Sequence, residues 1–66
     1  MQIRLNGETR TVDDVTTLAQ LVEQLDLTGK RIAVEVNDEL VPRSEHAACS
    51  LNEGDRVEIV QAIGGG

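Results

Sequence analysis

A single segment of this chain has the periodicity of a helix, and short runs with the periodicity of strands lie on both sides of it. The apolar residues of that segment recur at the i, i+3, i+4 and i+7 spacing of one helix face: Leu18, Leu21, Val22 and Leu25. Thr17 and Gln20 predict a capping box at its start, and Gly29 is placed to end it in a left-handed conformation. A helix with one apolar face needs an apolar surface to cover, so we expect the strands to form a sheet beneath it.

The first two strand-like runs predict a hairpin. Residues 1–5 alternate apolar and polar side chains, and residues 8–12 favour extended structure. Asn6 and Gly7 lie between them, and this dipeptide readily takes the two positive φ angles of a type I′ turn. The sequence therefore predicts two antiparallel strands joined by a tight turn.

Further short elements follow the predicted helix. They are a strand at residues 32–36, a turn at 37–38, a short strand at 40–41, an irregular or single-turn segment at 44–50, a turn at 52–55 and a last strand at 56–63. Pro42 cannot donate to a ladder, so the short strand before it belongs at a sheet edge. The predicted order is β-β-α-β-β-β, an α+β domain over residues 1–63 with a flexible glycine tail at residues 64–66.

The composition indicates how this domain is stabilised and which partners suit it. The 66 residues include no Phe, Trp or Tyr, so Leu, Val and Ile must form the core. Twelve acidic residues against six basic ones give a net charge of −6, which repels phosphate backbones and anionic lipid head groups. We therefore expect neither nucleic acid nor a membrane as a partner, and favour a protein with a basic face.

The single cysteine bears on the compartment and on metal binding. Cys49 has no second cysteine to pair with, which fits a reducing cytosol, and we expect a cytoplasmic protein. His46 lies three residues before it, but two ligands do not make a zinc site, so no metal site is predicted. A persulfide relay through Cys49 is also disfavoured, since nothing nearby in sequence would lower the pKa of its thiol.

The last predicted strand carries an unexpected apolar strip. Val57 and Ile59 have the parity that should face the helix, whereas Val60 and Ala62 have the opposite parity, where a bare sheet face should be polar. Scattered apolar surface residues are normal, and this alternative stays open. The position of the strip beside the tail favours a partner-docking patch formed by Val60, Ala62 and Ile63.

The chain ends in Gly64-Gly65-Gly66. Three residues without Cβ form a thin thread that can enter a narrow channel, spanning roughly 10 Å when extended. A terminal carboxylate on Gly66 could attack the α-phosphate of ATP and become an acyl-adenylate, if a partner enzyme supplies the ATP site. A frayed terminus or a cloning remnant is the alternative interpretation.

Two segments resemble a known family. Residues 32–43, IAVEVNDELVPR, are similar to the middle of the ThiS family of thiamine-biosynthesis sulfur carriers, and residues 51–66, LNEGDRVEIVQAIGGG, are similar to its ending. The helical run at residues 17–26 also fits. The resemblance covers essentially the whole chain and implies the ubiquitin-like β-grasp fold, a mixed sheet with one main helix packed across it.

The resemblance also implies a reaction cycle in which the chain is a non-catalytic co-substrate. An E1-like adenylyltransferase of the ThiF type would use MgATP to adenylate the carboxylate of Gly66, while the carrier itself binds no cofactor. A cysteine desulfurase and sulfurtransferase system would supply a persulfide sulfur, giving a thiocarboxylate on Gly66. A thiazole synthase of the ThiG type would then accept the sulfur. Gly64 and Gly65 would give the tail access, although Gly64 departs mildly from the family pattern.

Three alternatives remain open at this stage. The small subunit of molybdopterin synthase uses the same fold and tail but is usually longer. A ubiquitin-like modifier would form isopeptide bonds through Gly66, and a single lysine, Lys30, mildly disfavours ubiquitin-style chains. A plain interaction domain with an inert tail is the third.

Overall fold

The computed structural model describes residues 1–14 and 16–62. Its elements are β1 (Gln2–Leu5), β2 (Glu8–Thr11), α1 (Leu18–Gln24), β3 (Ile32–Val36), β4 (Glu39–Leu40), a 3-10 helix (Arg43–Ala48) and β5 (Arg56–Gln61). The strands form one five-stranded sheet in the order β2-β1-β5-β3-β4. Strands β1 and β5 pair in parallel and the other neighbours are antiparallel, so the predicted mixed sheet with one main helix is confirmed.

Both strand-to-strand turns use residues that tolerate positive φ. In the first hairpin Leu5 lies opposite Glu8, and Asn6 and Gly7 have φ values of 49° and 84°. Asn37 and Asp38, at 51° and 68°, join β3 to β4 in the same manner. The hairpin prediction is therefore correct, and so is the prediction that the short strand before Pro42 lies at a sheet edge.

The helix begins as expected and ends earlier than expected. The backbone N–H of Gln20 donates to the Thr17 hydroxyl at 3.2 Å, and the Gln20 side chain accepts from the Thr17 N–H at 2.8 Å, which completes the capping box. The prediction that Gly29 ends the helix is wrong. Asp26 takes the left-handed conformation there, at φ 58°, and its N–H and that of the next residue bond back to the last turn.

Gly29 does have a positive φ, 80°, but it lies in a separate turn closed by the bond from the Lys30 N–H to the Leu27 carbonyl at 3.0 Å. An aspartate can occupy the left-handed region because its short polar side chain bonds locally. The first residue able to take that conformation therefore ended the helix, three positions before the glycine.

The core lies between α1 and one face of the sheet. Its buried members are all aliphatic, as the lack of aromatic residues requires: Ile3, Val12, Leu18, Leu21, Val34, Leu51 and Val57. Leu51 joins this core because the segment before β5 lies beside the start of the helix. The Leu51 N–H donates to the Thr16 carbonyl there, at 3.0 Å. Among the described residues, the model has no helix with the length and apolar character that crossing a membrane requires.

Candidate functional site

Strand β5 is the element that leads to the glycine tail, and its beginning is held by a buried carboxylate. Asp55 immediately precedes the strand and is only 9% exposed. One of its carboxylate oxygens accepts from the Asn37 side-chain amide at 3.0 Å, and the other accepts from the Asn52 N–H at 2.8 Å. Its carbonyl accepts from the Arg4 N–H at 2.8 Å. These bonds join the β3–β4 turn, the turn before β5 and strand β1 at one point.

The first residue of β5 is bonded to the same turn. The Arg56 carbonyl accepts from the Asn37 N–H at 2.8 Å, and the Arg56 N–H donates to the Asn37 side-chain oxygen at 3.0 Å. The Arg56 guanidinium also pairs with Asp38 at 3.0 Å, but both side chains are largely exposed, so this ion pair stabilises little. The beginning of β5 is therefore fixed by buried and backbone hydrogen bonds.

Farther along β5, a side chain replaces a strand as the hydrogen-bonding partner. Strand β1 ends at Leu5, and the Asn6 N–H makes the last backbone bond to β5, to Val57 at 2.9 Å. The Asn6 carboxamide then accepts from the Ile59 N–H at 2.9 Å and donates to the Ile59 carbonyl at 3.3 Å. Sequence reasoning identified Asn6 only as a turn residue, because nothing local shows which backbone its side chain reaches.

At the far end of β5, pairing continues on one side only. The Ala62 N–H donates to the Arg31 carbonyl at 2.8 Å, so the β3 side stays bonded to the last described residue. Odd-numbered residues of β5 point their N–H and C=O groups toward β1, as the bonds of Val57 and Ile59 do. Gln61 therefore points its N–H and C=O toward β1, which has already ended at Leu5, and outside the strand ladders no residue of 1–14 or 16–62 bonds to these groups.

The apolar strip predicted on the bare face of the sheet is partly described. Val60 is 66% exposed and Ala62 is also exposed, both on the face away from the helix. Val60 lies opposite Ala33 of β3. Ile63, Gly64, Gly65 and Gly66 lie outside the described residues. Docking of a partner through Val60, Ala62 and Ile63 therefore stays a prediction.

A pair of like charges lies next to this strip. Glu35 and Glu58 face each other across β3 and β5, and both are exposed. No ion pair to either carboxylate occurs in the part of the chain that the structure describes. Leu40 of β4 is 67% exposed and lies opposite Glu35, and Val60 lies two positions after Glu58 in β5. Exposed apolar side chains therefore flank the two carboxylates on the bare face of the sheet. That combination fits a partner surface with apolar and basic groups.

His46 and Cys49 both serve the structure. His46 is 7% exposed, and its Nε2 lies 3.1 Å from the Val41 carbonyl; because a carbonyl only accepts, Nε2 carries the proton. The half-buried Cys49 thiol has its pKa raised above the ordinary value of 9.0 by burial first and then by the nearby Asp55 and Glu45 carboxylates. A thiol held protonated in this way is a weak nucleophile at neutral pH.

The described surface offers little for a nucleotide. One concavity, of about 280 Å³, is lined by acidic and neutral polar side chains: Asp13, Thr16, Gln20, Glu23 and Gln24. Carboxylates at such a site repel a triphosphate. No group of three potential metal ligands occurs among the described residues.

Comparison with known proteins identifies relatives over the full length of the chain. A model of the ThiS family matches residues 3–66. The sulfur carrier protein ThiS of Escherichia coli is 33% identical over 66 residues, which covers 100% of both chains. The crystal structure of the thiamine biosynthesis protein ThiS from Geobacter metallireducens superimposes with a TM-score of 0.84, at 30% identity and 100% coverage of both chains.

Larger proteins also contain a similar segment. Thiazole synthases from Paramagnetospirillum magneticum and Magnetococcus marinus are each 41% identical to the chain over 66 residues. The match covers 100% of this chain but 20% of each synthase, so the chain spans about one fifth of their length.

Proposed function

This chain belongs to the ThiS family, and from that premise we propose that it is a sulfur carrier of thiamine biosynthesis whose reactive group is the carboxylate of Gly66. The observation that carries the proposal is the end-to-end alignment with the E. coli carrier, which includes the three glycines after Ile63. The described chain would present that tail from a strand that is bonded at its beginning and paired with β3 up to Gln61, after which the Ala62 N–H donates to Arg31.

The proposed chemistry begins with activation. The Gly66 carboxylate oxygen attacks the α-phosphorus of ATP, and pyrophosphate leaves, which gives a glycyl adenylate. The terminal sulfur of a persulfide then attacks the acyl carbon and AMP leaves. A thiol cleaves the resulting acyl disulfide and releases the Gly66 thiocarboxylate, while the two remaining sulfurs form a disulfide. Glycine suits each step because no side chain crowds the carbonyl carbon.

The carrier contributes presentation and no catalysis in this proposal. MgATP would be bound by an E1-like adenylyltransferase, which fits the acidic lining of the concavity beside α1. A cysteine desulfurase and sulfurtransferase system would supply the persulfide sulfur. The raised pKa of Cys49 argues against that thiol as the sulfur donor. Gly64 and Gly65 would let the tail pass into the active sites of these partners.

Thiazole synthase is the proposed sulfur acceptor. The two relatives of that name contain a segment 41% identical to this chain. Joining two modules in one chain raises their effective concentration, which benefits modules that must meet in each cycle. The same relatives favour the thiamine pathway over molybdopterin synthesis.

The docking patch of Val60, Ala62 and Ile63 would guide the tail into its partners. A Val60→Lys variant keeps the fold, because Val60 is 66% exposed and its side chain is absent from the core. We expect this variant to form adenylate at least about tenfold more slowly, because a tenfold effect corresponds to losing roughly 1.4 kcal/mol of contact with the partner. Thr9→Lys, an exposed β2 position on the same face, is the matched control. A Val60→Lys variant with wild-type kinetics would remove the patch from the proposal.

Intact-mass spectrometry of the protein isolated from cells tests the central claim. With the adenylyltransferase and desulfurase present, a fraction should carry one sulfur in place of one oxygen, and a variant lacking Gly66 should not. The same spectrum determines whether Gly66 is the last residue of the mature protein. Only unmodified carboxylate in the presence of both enzymes would refute the sulfur-carrier proposal, and isopeptide conjugates through Gly66 would favour a modifier.

A genetic comparison separates the two carrier pathways. Deletion of Gly66 should produce a requirement for thiamine and leave molybdenum-cofactor enzymes active. Loss of molybdenum-cofactor activity with normal thiamine synthesis would instead place the chain with molybdopterin synthase.

A further inference from the structure

Strand β5 extends beyond the neighbour it pairs with in parallel. The last backbone bond between them joins Asn6 to Val57, and the Asn6 carboxamide then satisfies both backbone groups of Ile59. The next groups on this side are the N–H and C=O of Gln61; β1 has ended before them, and outside the strand ladders no described residue bonds to them. We call this position the Gln61 edge.

The Gln61 edge is held in extended form before any partner binds. Gln61 pairs with Ile32 of β3 on its other side, and the following Ala62 N–H donates to Arg31 at 2.8 Å. Asn6 fixes the preceding part of the strand from the β1 side. Binding therefore does not have to order this part of the carrier, which lowers the entropic cost of association.

The exposed chemistry selects the kind of binder. One backbone donor and one backbone acceptor at strand spacing match the groups of another extended peptide, as in recognition by strand addition. The Gln61 side chain is exposed and offers no apolar pocket, so recognition at this position depends on main-chain hydrogen bonds. The incoming segment would lie in line with β1, past the turn at Asn6 and Gly7.

We propose that an extended segment of thiazole synthase pairs with the Gln61 edge and adds a short strand to this sheet beside β5. The choice of partner rests on the proposed function, and the existence of the edge rests on the hydrogen bonds alone. The pairing would place the synthase backbone directly beside the residues that lead to Gly66.

Amide hydrogen exchange of the free protein and of its complex with thiazole synthase tests this directly. In the free protein the Gln61 amide should exchange quickly and the Ile59 amide slowly. In the saturated complex the Gln61 amide should slow by at least about tenfold. A Gln61 amide already protected in the free protein, or one unchanged at saturation, would overturn the proposal.

Two substitutions supply an independent measurement of binding. Gln61→Pro removes the N–H while leaving the β3 side intact, because that N–H points toward β1; Gln61→Ala keeps the N–H and serves as its control. We expect Gln61→Pro to bind the synthase about tenfold more weakly than Gln61→Ala. The reason is that Gln61→Pro loses one backbone hydrogen bond and leaves the acceptor on the synthase without a donor. Equal affinities of the two folded variants would contradict the pairing. If Gln61→Pro does not fold, the exchange measurement decides alone.

These outcomes can be distinguished from those of the sulfur-carrier proposal, because binding and amide exchange are both measured on protein whose Gly66 carboxylate is unmodified. Protection of Gln61 in a carrier that never acquires sulfur would support the edge and refute the carrier. If the thiocarboxylate forms normally but the Gln61 amide stays unprotected in the complex, the sulfur-carrier proposal is supported and the strand pairing is refuted. A wild-type protein that does not bind thiazole synthase would overturn the pairing with this partner.

Discussion

The two ends of β5 are built differently although they belong to one strand of six residues. At the beginning, Val57 is fully buried and Asp55 joins two turns and a neighbouring strand. At the end, Val60 is two-thirds exposed and Gln61 is paired only toward β3. Strand β5 is therefore more extensively bonded at its beginning than at its end.

This difference matches the demands of a carrier. In the proposed function a reactive tail would enter several partners in turn, which requires an accessible surface beside it. Functional segments generally come from the less stable part of a fold, while buried hydrogen bonds and apolar contacts elsewhere keep the whole domain folded. In a domain of this size the stability margin is thin, and the bonded end of β5 contributes to it together with the aliphatic core.

The sharpest contrast between the two ends is between two valines. Val57→Ala should lower the free energy of unfolding by about 2–3 kcal/mol, because it removes two buried carbons and leaves a cavity. Val60→Ala should change it by less than about 0.5 kcal/mol. Urea unfolding of both variants measures the difference. Equal effects would show that the two ends contribute alike.

Asp55→Ala tests the hydrogen-bonded junction at the beginning of the strand. The Asn52 N–H and the Asn37 amide would lose their acceptor, which should cost about 2 kcal/mol. Asp38→Asn breaks an exposed ion pair near the same place while keeping a residue suited to positive φ, and should cost less than about 0.5 kcal/mol. Thermal unfolding of the two variants provides the check, and a similar loss from both would refute the junction.

Asn6→Gly removes the carboxamide that extends the β1–β5 ladder while keeping a residue suited to positive φ. We expect a loss of about 1 kcal/mol and faster exchange of the Ile59 amide. The Val57 carbonyl bond should persist, because it comes from the backbone of residue 6. An Ile59 amide as protected as in the wild type would contradict this role.

Glu58→Gln should raise stability by a few tenths of a kcal/mol, about 0.2–0.5, because it removes the repulsion from Glu35 directly opposite. Glu35→Gln should give a similar gain, and the double variant little more, since one substitution already removes the pair. The gain should shrink at high salt. Additive gains would show that the two carboxylates do not interact.

The smallest effect concerns Cys49 and pH. Its pKa is higher in the folded protein than the ordinary 9.0, chiefly through burial, so the folded state holds the thiol proton more tightly. The resulting stability is complete below pH 9.0 and is lost as the pH rises through the folded pKa. Cys49→Ala should lack that decline in unfolding experiments at alkaline pH. An unchanged slope would assign the decline to other groups.

Local sequence patterns determined much of the fold. The positive-φ turn at Asn6 and Gly7, the capping box at Thr17 and the alternation of residues 32–36 each depend on residues close together in the chain, so each was predicted correctly. The parity that exposes Val60 follows from the same alternation. The chemical role of the glycine tail stays a prediction, because residues 64–66 lie outside the described part of the chain.

Only the tertiary structure decided how β5 is held. The carboxylate of Asp55 finds Asn37 eighteen positions away, and the amide of Asn6 finds Ile59 across fifty-three positions. The opposition of Glu35 and Glu58 requires the register of β3 and β5. These side chains are ordinary turn and strand residues in the sequence, and their partners exist only once distant segments are brought together. The difference between the bonded and the open end of β5 has the same origin, because it depends on where a neighbouring strand stops.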